Sequence, residues 1–141
     1  MNYTFHYLLM ANHMMLQKDL LASLKNTELS LGQPKVLDYL KDHNGAGQKE
    51  IASACHIEPA SLTSILNRME KQEIIHRKNL NGNRRSLYVF LTPKGEKLSH
   101  IVSDSFETLE SAIFENIPDA EKTAFMNTFA KIYENMRKRR E

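Results

Sequence analysis

Cysteine is almost missing from this chain of 141 residues: Cys55 stands alone, which excludes an internal disulfide framework and fits a reducing cytoplasm. No apolar run approaches the roughly 18 residues that a membrane-spanning helix needs, so no membrane partner is expected. The opening MNYTFHYLLMANHMM is apolar, yet it lacks a basic leading region and a small-residue cleavage site, and a signal peptide is not expected. Metal-ligand spacing is wanting as well. Six histidines are present, but no Cys-x-x-Cys or His-x-x-x-His pair, and His6 and His13 lie two helical turns apart; neither a metal nor a cofactor is expected. No nucleophile–base–acid pattern, glycine-rich phosphate loop or paired-carboxylate constellation stands out, which argues against an enzyme. Internal repeats are absent too.

One further absence is local. Between Leu98 and Glu121 there is no Lys or Arg, against six acids (Asp104, Glu107, Glu110, Glu115, Asp119, Glu121). From Arg68 to Arg85 the balance reverses, with six cations (Arg68, Lys71, Arg77, Lys78, Arg84, Arg85) and two acids, Glu70 and Glu73. The formal net charge of +2 conceals this separation, which gathers cations where a polyanion would dock. With 41% hydrophobic and 26% charged residues the chain has the composition of an ordinary globular domain, long enough to bury a core.

What is present is mostly helical. Leu9, Met10, Met14, Leu16, Leu20, Leu21 and Leu24 suit a long, largely buried helix between Tyr3 and Leu24. Ser30 and Gln33 form a capping-box pair for a second helix, with Pro34 in its first turn and Val36, Leu37 and Leu40 inward. Asn44, Gly45 and Gly47 break it. A short third helix covers Gln48 to Cys55, with Ile51 and Ala52 inward; His56, Ile57 and Glu58 turn the chain, and Pro59 opens a fourth helix. There Leu62, Ile65, Leu66 and Met69 occupy i, i+3, i+4 and i+7, leaving Ala60, Ser61, Ser64, Asn67, Arg68 and Lys71 outward. Helix, three-residue turn and helix match a helix-turn-helix.

The stretch from Asn67 to Gly95, NRMEKQEIIHRKNLNGNRRSLYVFLTPKG, then supplies a hairpin. An apolar pair, Ile74 and Ile75, leads into a run through Leu80; Asn81 and Gly82 tolerate the positive φ of a tight tip, and Leu87 to Leu91 return. A hairpin with a cationic tip directly after a candidate recognition helix predicts a winged helix-turn-helix. Thr92 and Pro93 open a long helix striped by Leu98, Ile101, Val102, Phe106, Leu109 and Ile113. Pro118 and Asp119 open another, striped by Phe125, Phe129, Ile132, Tyr133 and Met136. Long helices at both ends exceed what DNA reading requires, and a homodimer interface explains them.

With these elements in this order the chain resembles the MarR family of bacterial winged helix-turn-helix transcriptional regulators. The similarity runs through SLGQPKVLDYL, QKEIASACHIEPASLTSILNRMEKQEII and the wing NGNRRSLYVFLTPKG, the last being the most specific. The resemblance implies a mainly α fold with long N- and C-terminal dimerisation helices (1–30 and 93–141) and a DNA-binding region with one β-hairpin wing (31–92), together a single MarR-like domain of 1–141. The family places an acid, a variable residue and an arginine at the wing tip, the acid orienting the arginine for the minor groove. Here those places hold Asn83, Arg84 and Arg85, so the brace for Arg85 is an amide and lacks charge assistance. Where the family often has a recognition-helix arginine, this chain has Ser64. Oxidant-sensing relatives carry a cysteine in the first helix, where this chain has none, which disfavours sensing through Cys55.

On these grounds Arg85 is expected in the minor groove, Arg84 and Lys78 on phosphates, and Ser61, Ser64, Asn67 and Arg68 at major-groove edges. Arg68 has an equal alternative in an ion pair within the wing or helix, and Thr63 in a bond to its own helix backbone. Met10, His13, Met14, Met15 and Tyr39 are read either as core packing or as lining a cleft between the first two helices and the fifth. Relatives bind small aromatic or phenolic molecules in this region, which implies an effector pocket of Met10, His13, Met14 and Tyr39. The expected function is a cytoplasmic, homodimeric repressor of transcription, ligand-responsive and bound to pseudo-palindromic double-stranded DNA. The alternative is a winged-helix protein-interaction module, supported by Asn83 and Ser64.

Overall fold

In a computed structural model of the chain, residues 2–80, 82 and 86–141 are described. Among them the elements run α1 (Phe5–Ser23), α2 (Gln33–Asp42), α3 (Gln48–Cys55), α4 (Pro59–Lys71), β1 (Ile75–Lys78), β2 (Tyr88–Leu91), α5 (Pro93–Ile113) and α6 (Asp119–Lys138). The fold is a mainly helical winged helix-turn-helix. Two compact units divide it, residues 1–109 and 110–141.

The core of the first unit is built from Val36, Leu37 and Leu40 of α2, Ile51 and Ala52 of α3, Leu62, Leu66 and Met69 of α4, Ile74, Ile75 and Val89 of the hairpin, and Leu98 and Val102 of α5. Each large aliphatic buried this way contributes about 1.5–3 kcal/mol, so the helix-turn-helix and hairpin share one driving force. β1 and β2 pair antiparallel, Ile75 opposite Leu91 and Lys78 opposite Tyr88. The far edge of β2 is also used: Gly45 N–H donates to Val89 O at 2.8 Å, Val89 N–H to Ala46 O at 2.9 Å and Gln48 N–H to Leu87 O at 3.0 Å. Asn44 Oδ1 accepts from Leu91 N–H at 2.8 Å. The segment expected only to break α2 therefore docks the hairpin against the start of α3.

Two expectations about helix ends and burial are corrected. The N-cap of α2 is Gly32 at φ 88, not Ser30. Only the return half of the expected box forms, Ser30 N–H donating to Gln33 Oε1 at 3.1 Å. A side chain at residue 32 would also place its Cβ 2.7 Å from Ile65 Cδ1, so α2 leans on α4 where only glycine fits. Second, α1 is not largely buried. It starts at Phe5, with the Thr4 hydroxyl accepting from Tyr7 N–H at 3.3 Å, and within it only Leu20 is buried. Apolar content alone does not say what covers a helix, and here most of it stays exposed.

α5 begins as the sequence predicts. The Thr92 hydroxyl donates to Glu73 O at 2.6 Å and accepts from Gly95 N–H at 3.0 Å, capping the helix and tying it to the residue before the hairpin. In the second unit Phe125 stacks on Phe129 at 5.2 Å and meets Phe114 at 6.5 Å. No residue of α6 is buried. No helix among the described residues is long and apolar enough to cross a membrane.

Candidate nucleic-acid interface

Local chemistry determines how α4 is presented. α3 ends at Cys55, His56 takes a left-handed φ of 53, and Pro59 restarts the chain as a helix after Glu58. Cys55 is buried, and that burial pushes its thiol above the usual value, opposed by the nearby Lys35 ammonium, so the sulfur behaves as a packed hydrophobe. On α4 the buried stripe is Leu62, Leu66 and Met69, with Ile65 half-buried, and the opposite face is open. Ser61, Thr63, Ser64, Asn67 and Arg68 are all exposed on it. The Thr63 hydroxyl donates to Pro59 O at 3.0 Å and the Ser64 hydroxyl to Ala60 O at 3.4 Å. Each hydroxyl proton is thus turned to its own helix, leaving lone pairs outward. Arg68 makes no ion pair among the described residues.

A cation that the sequence reading left without a role joins this face to the hairpin. Arg77 of β1 donates through Nη2 to Asn67 Oδ1 at 2.7 Å and to Glu70 Oε1 at 3.1 Å. Its Nε and backbone N–H reach Glu70 Oε2 at 3.4 and 3.2 Å, and Nη1 reaches Gln48 Oε1 at 3.2 Å. One guanidinium therefore touches α3, α4 and, through its own backbone, β1. The hydrogen-bonded guanidinium holds the Glu70 carboxyl below the usual carboxylate range, against a smaller opposing effect of desolvation. Nothing in the spacing of Arg77 in the chain distinguishes it from its neighbours; the signal lies in contacts across 7 to 29 positions.

Elsewhere on the hairpin, Phe90 stacks on His76 at 5.5 Å and carries the Lys78 ammonium 4.7 Å from its ring centre. Lys78 is exposed, as a phosphate contact requires. Asn83, Arg84 and Arg85, expected at the wing tip, lie outside the described residues. At the base of α4, Gln72 Oε1 accepts from buried Gln33 at 2.8 Å, and Lys94 donates to Gln72 O at 2.7 Å and pairs with Glu28. These bonds fix the C-terminal end of α4 against α2 and α5.

A cleft of about 110 Å³ opens between α1, α2 and α5, lined by His13, Leu16, Gln17, Leu20, Leu31, Lys35 and Phe106 among others. Of the residues expected at an effector pocket it takes His13. Met10 and Met14 are each 69% exposed and outside it. Tyr39 is also elsewhere, its hydroxyl on Glu50, which pushes its pKa up to about 12, and its ring stacked on His43 at 4.2 Å. The cleft falls below the usual 300–1,000 Å³ of small-molecule sites and suits a guest that inserts a small ring. No group of three or more potential metal ligands occurs among the described residues.

Comparison with known proteins agrees with this geometry. The family described as MarR matches residues 29–87, from the approach to α2 through β1 to the residue before β2. The HTH-type transcriptional repressor YetL of Bacillus subtilis is 27% identical over 112 residues, 77% of this chain and 66% of the relative. MepR of S. aureus, solved as a DNA complex, superposes with a TM-score of 0.85 at 23% identity, over 96% of this chain and 99% of that one. NadR, solved with 4-hydroxyphenylacetate, superposes with a TM-score of 0.77 at 21% identity, over 93% of each chain.

Proposed function

The chain belongs to the MarR family through its domain at residues 29–87, and on that premise we propose that it is a homodimeric, sequence-specific DNA-binding repressor relieved by a small aromatic or phenolic effector. It is a helix-turn-helix transcriptional regulator rather than an enzyme. The observation that carries the proposal is the open polar face of α4, braced through Arg77 against a hairpin with an exposed Lys78. Two such faces, one per subunit, would enter major grooves about 34–36 Å apart on a pseudo-palindrome. Residues 31–92 would bind DNA, while 1–30 and 93–141 would join the chains. Repression follows the name of YetL, and a ring-sized effector is supported by the cleft beside His13 and by the NadR complex. Such a guest shifts the balance only by binding better to dimers whose helix spacing does not fit DNA. The site of action is the cytoplasm.

Ser61, Ser64, Asn67 and Arg68 would face base edges, and Lys78, Arg84 and Arg85 phosphates or the minor groove. The test is a gel-shift series across salt on a DNA selected from a random pool. Arg85→Ala should weaken binding and reduce the slope of log affinity against log salt by about 1. Unchanged affinity and slope would remove the wing from the interface.

A further inference from the structure

Asparagine in a major groove ordinarily reads adenine by using both ends of its amide, the oxygen accepting from N6 and the nitrogen donating to N7. Asn67 is exposed on α4, and the hairpin fixes how its amide is presented. Its Oδ1 accepts from Arg77 Nη2 at 2.7 Å. A guanidinium has donors only, so chemistry assigns the oxygen to the arginine side and the amino group to the other. Arg77 is itself difficult to displace: its side chain is only 12% exposed, and both Glu70 oxygens and Gln48 Oε1 hold it. Asn67 makes no other side-chain hydrogen bond among the described residues, so Arg77 alone sets its orientation.

We propose that Arg77 is a positioning residue for base recognition: by holding the Asn67 oxygen toward the hairpin it leaves the amino group as the end presented outward, a donor that selects guanine over the bidentate pairing to adenine. Guanine presents two acceptors, O6 and N7, to a donor. Adenine sets a donor beside its single acceptor, thymine offers one acceptor beside a methyl group and cytosine offers only a donor, so all three are disfavoured against the two acceptors of guanine. The inference rests on the DNA-binding reading above and adds the chemistry of one base pair in each half-site.

Selection of bound sequences from random double-stranded DNA, with the full-length protein, tests it. The wild type should select guanine at one base pair per half-site, identified as the pair whose preference Asn67→Ala abolishes. Arg77→Met keeps the aliphatic stem and removes the donors; it should shift that pair toward adenine, cutting guanine-over-adenine discrimination roughly tenfold while other positions keep theirs. A merely structural role would instead lower affinity for all sequences alike, and that result overturns the proposal. Should Arg77→Met fail to fold, Asn67→Asp on the exposed face supplies the second arm. It exchanges the amino donor for an acceptor and should move the preference to cytosine; a retained guanine preference overturns the proposal. Adenine at the Asn67 pair in the wild type also overturns it, with DNA binding intact. A wild type that retains no sequence overturns both this inference and the function it rests on.

Discussion

Glu70 receives three donors from Arg77, at 3.1, 3.2 and 3.4 Å, and in return keeps the guanidinium turned toward Asn67. Its carboxyl is half exposed, so solvent screening holds the pair to what exposed pairs are usually worth, about 0.2–1 kcal/mol. Hydrogen bonding to Arg77, the leading cause, lowers the folded-state pKa below the unfolded value near ~4.3. A depressed acid adds stability above its unfolded pKa and loses it as pH falls through the folded pKa. Urea unfolding should therefore find the wild type more stable than Glu70→Gln at neutral pH, with the gap closing in acid as the depressed carboxylate is protonated. A gap that is the same at neutral pH and in acid would show that charge contributes nothing here. At this scale the bond of Thr63 to its own helix was legible in the sequence, whereas that of Ser64, read as a base contact, was not. A hydroxyl on an open helix face has a carbonyl one turn back within reach, and both residues use it.

The elements show where sequence is informative and where it is not. α3 and α4 follow the expected bounds because Gly47, the His56–Glu58 turn and Pro59 punctuate them and the apolar spacing of Leu62, Leu66 and Met69 gives α4 its buried face. The edge pairing of residues 45–48 with β2 left no trace, since backbone hydrogen bonds have no side-chain signature. Arg77 was hidden for a related reason: its partners Gln48, Asn67 and Glu70 are gathered only by folding. One motif glycine gains a physical reason from the structure. Gly95, in the LTPKG run, lies so close to the hairpin that a Cβ there would stand 2.1 Å from the Ile74 carbonyl oxygen. The neighbour is backbone already accepting from Thr92 N–H at 3.1 Å, so it cannot yield cheaply. Gly95→Ala should cost about 3 kcal/mol by denaturant unfolding, separating α5 from the hairpin base, even though alanine is the better helix former. A variant as stable as the parent would mean that the contact is slack.

At the scale of the whole molecule, the apolar residues of α1, expected to be largely buried, and those of α6, expected at a subunit interface, are the ones left outside the core. α1 and the residue pair before it expose Tyr3, Phe5, Tyr7, Leu8, Met10, Met14 and Met15, and α6 exposes Phe125, Met126, Tyr133 and Met136. Each unit by itself leaves large apolar side chains in water, and a second copy of the chain is the occupant that the proposed operator symmetry requires. Met10 and Met14 point to this rather than to an effector role, because they stand apart from the cleft at His13 and are mostly exposed. Replacing both by glutamate removes little intrachain packing, so the helical signal should persist. It should desolvate charge only where two chains meet, raising the dimer dissociation constant by at least about thirtyfold, the effect of a loss near 2 kcal/mol. Sedimentation should then show monomer at concentrations where the parent is dimeric, and unfolding temperature should lose its dependence on protein concentration. DNA affinity should fall with it, since a monomer meets only one half-site. A double variant that stays dimeric would move the subunit contact off α1, while one that is monomeric yet binds the two-site DNA as tightly as the parent would separate dimerisation from recognition.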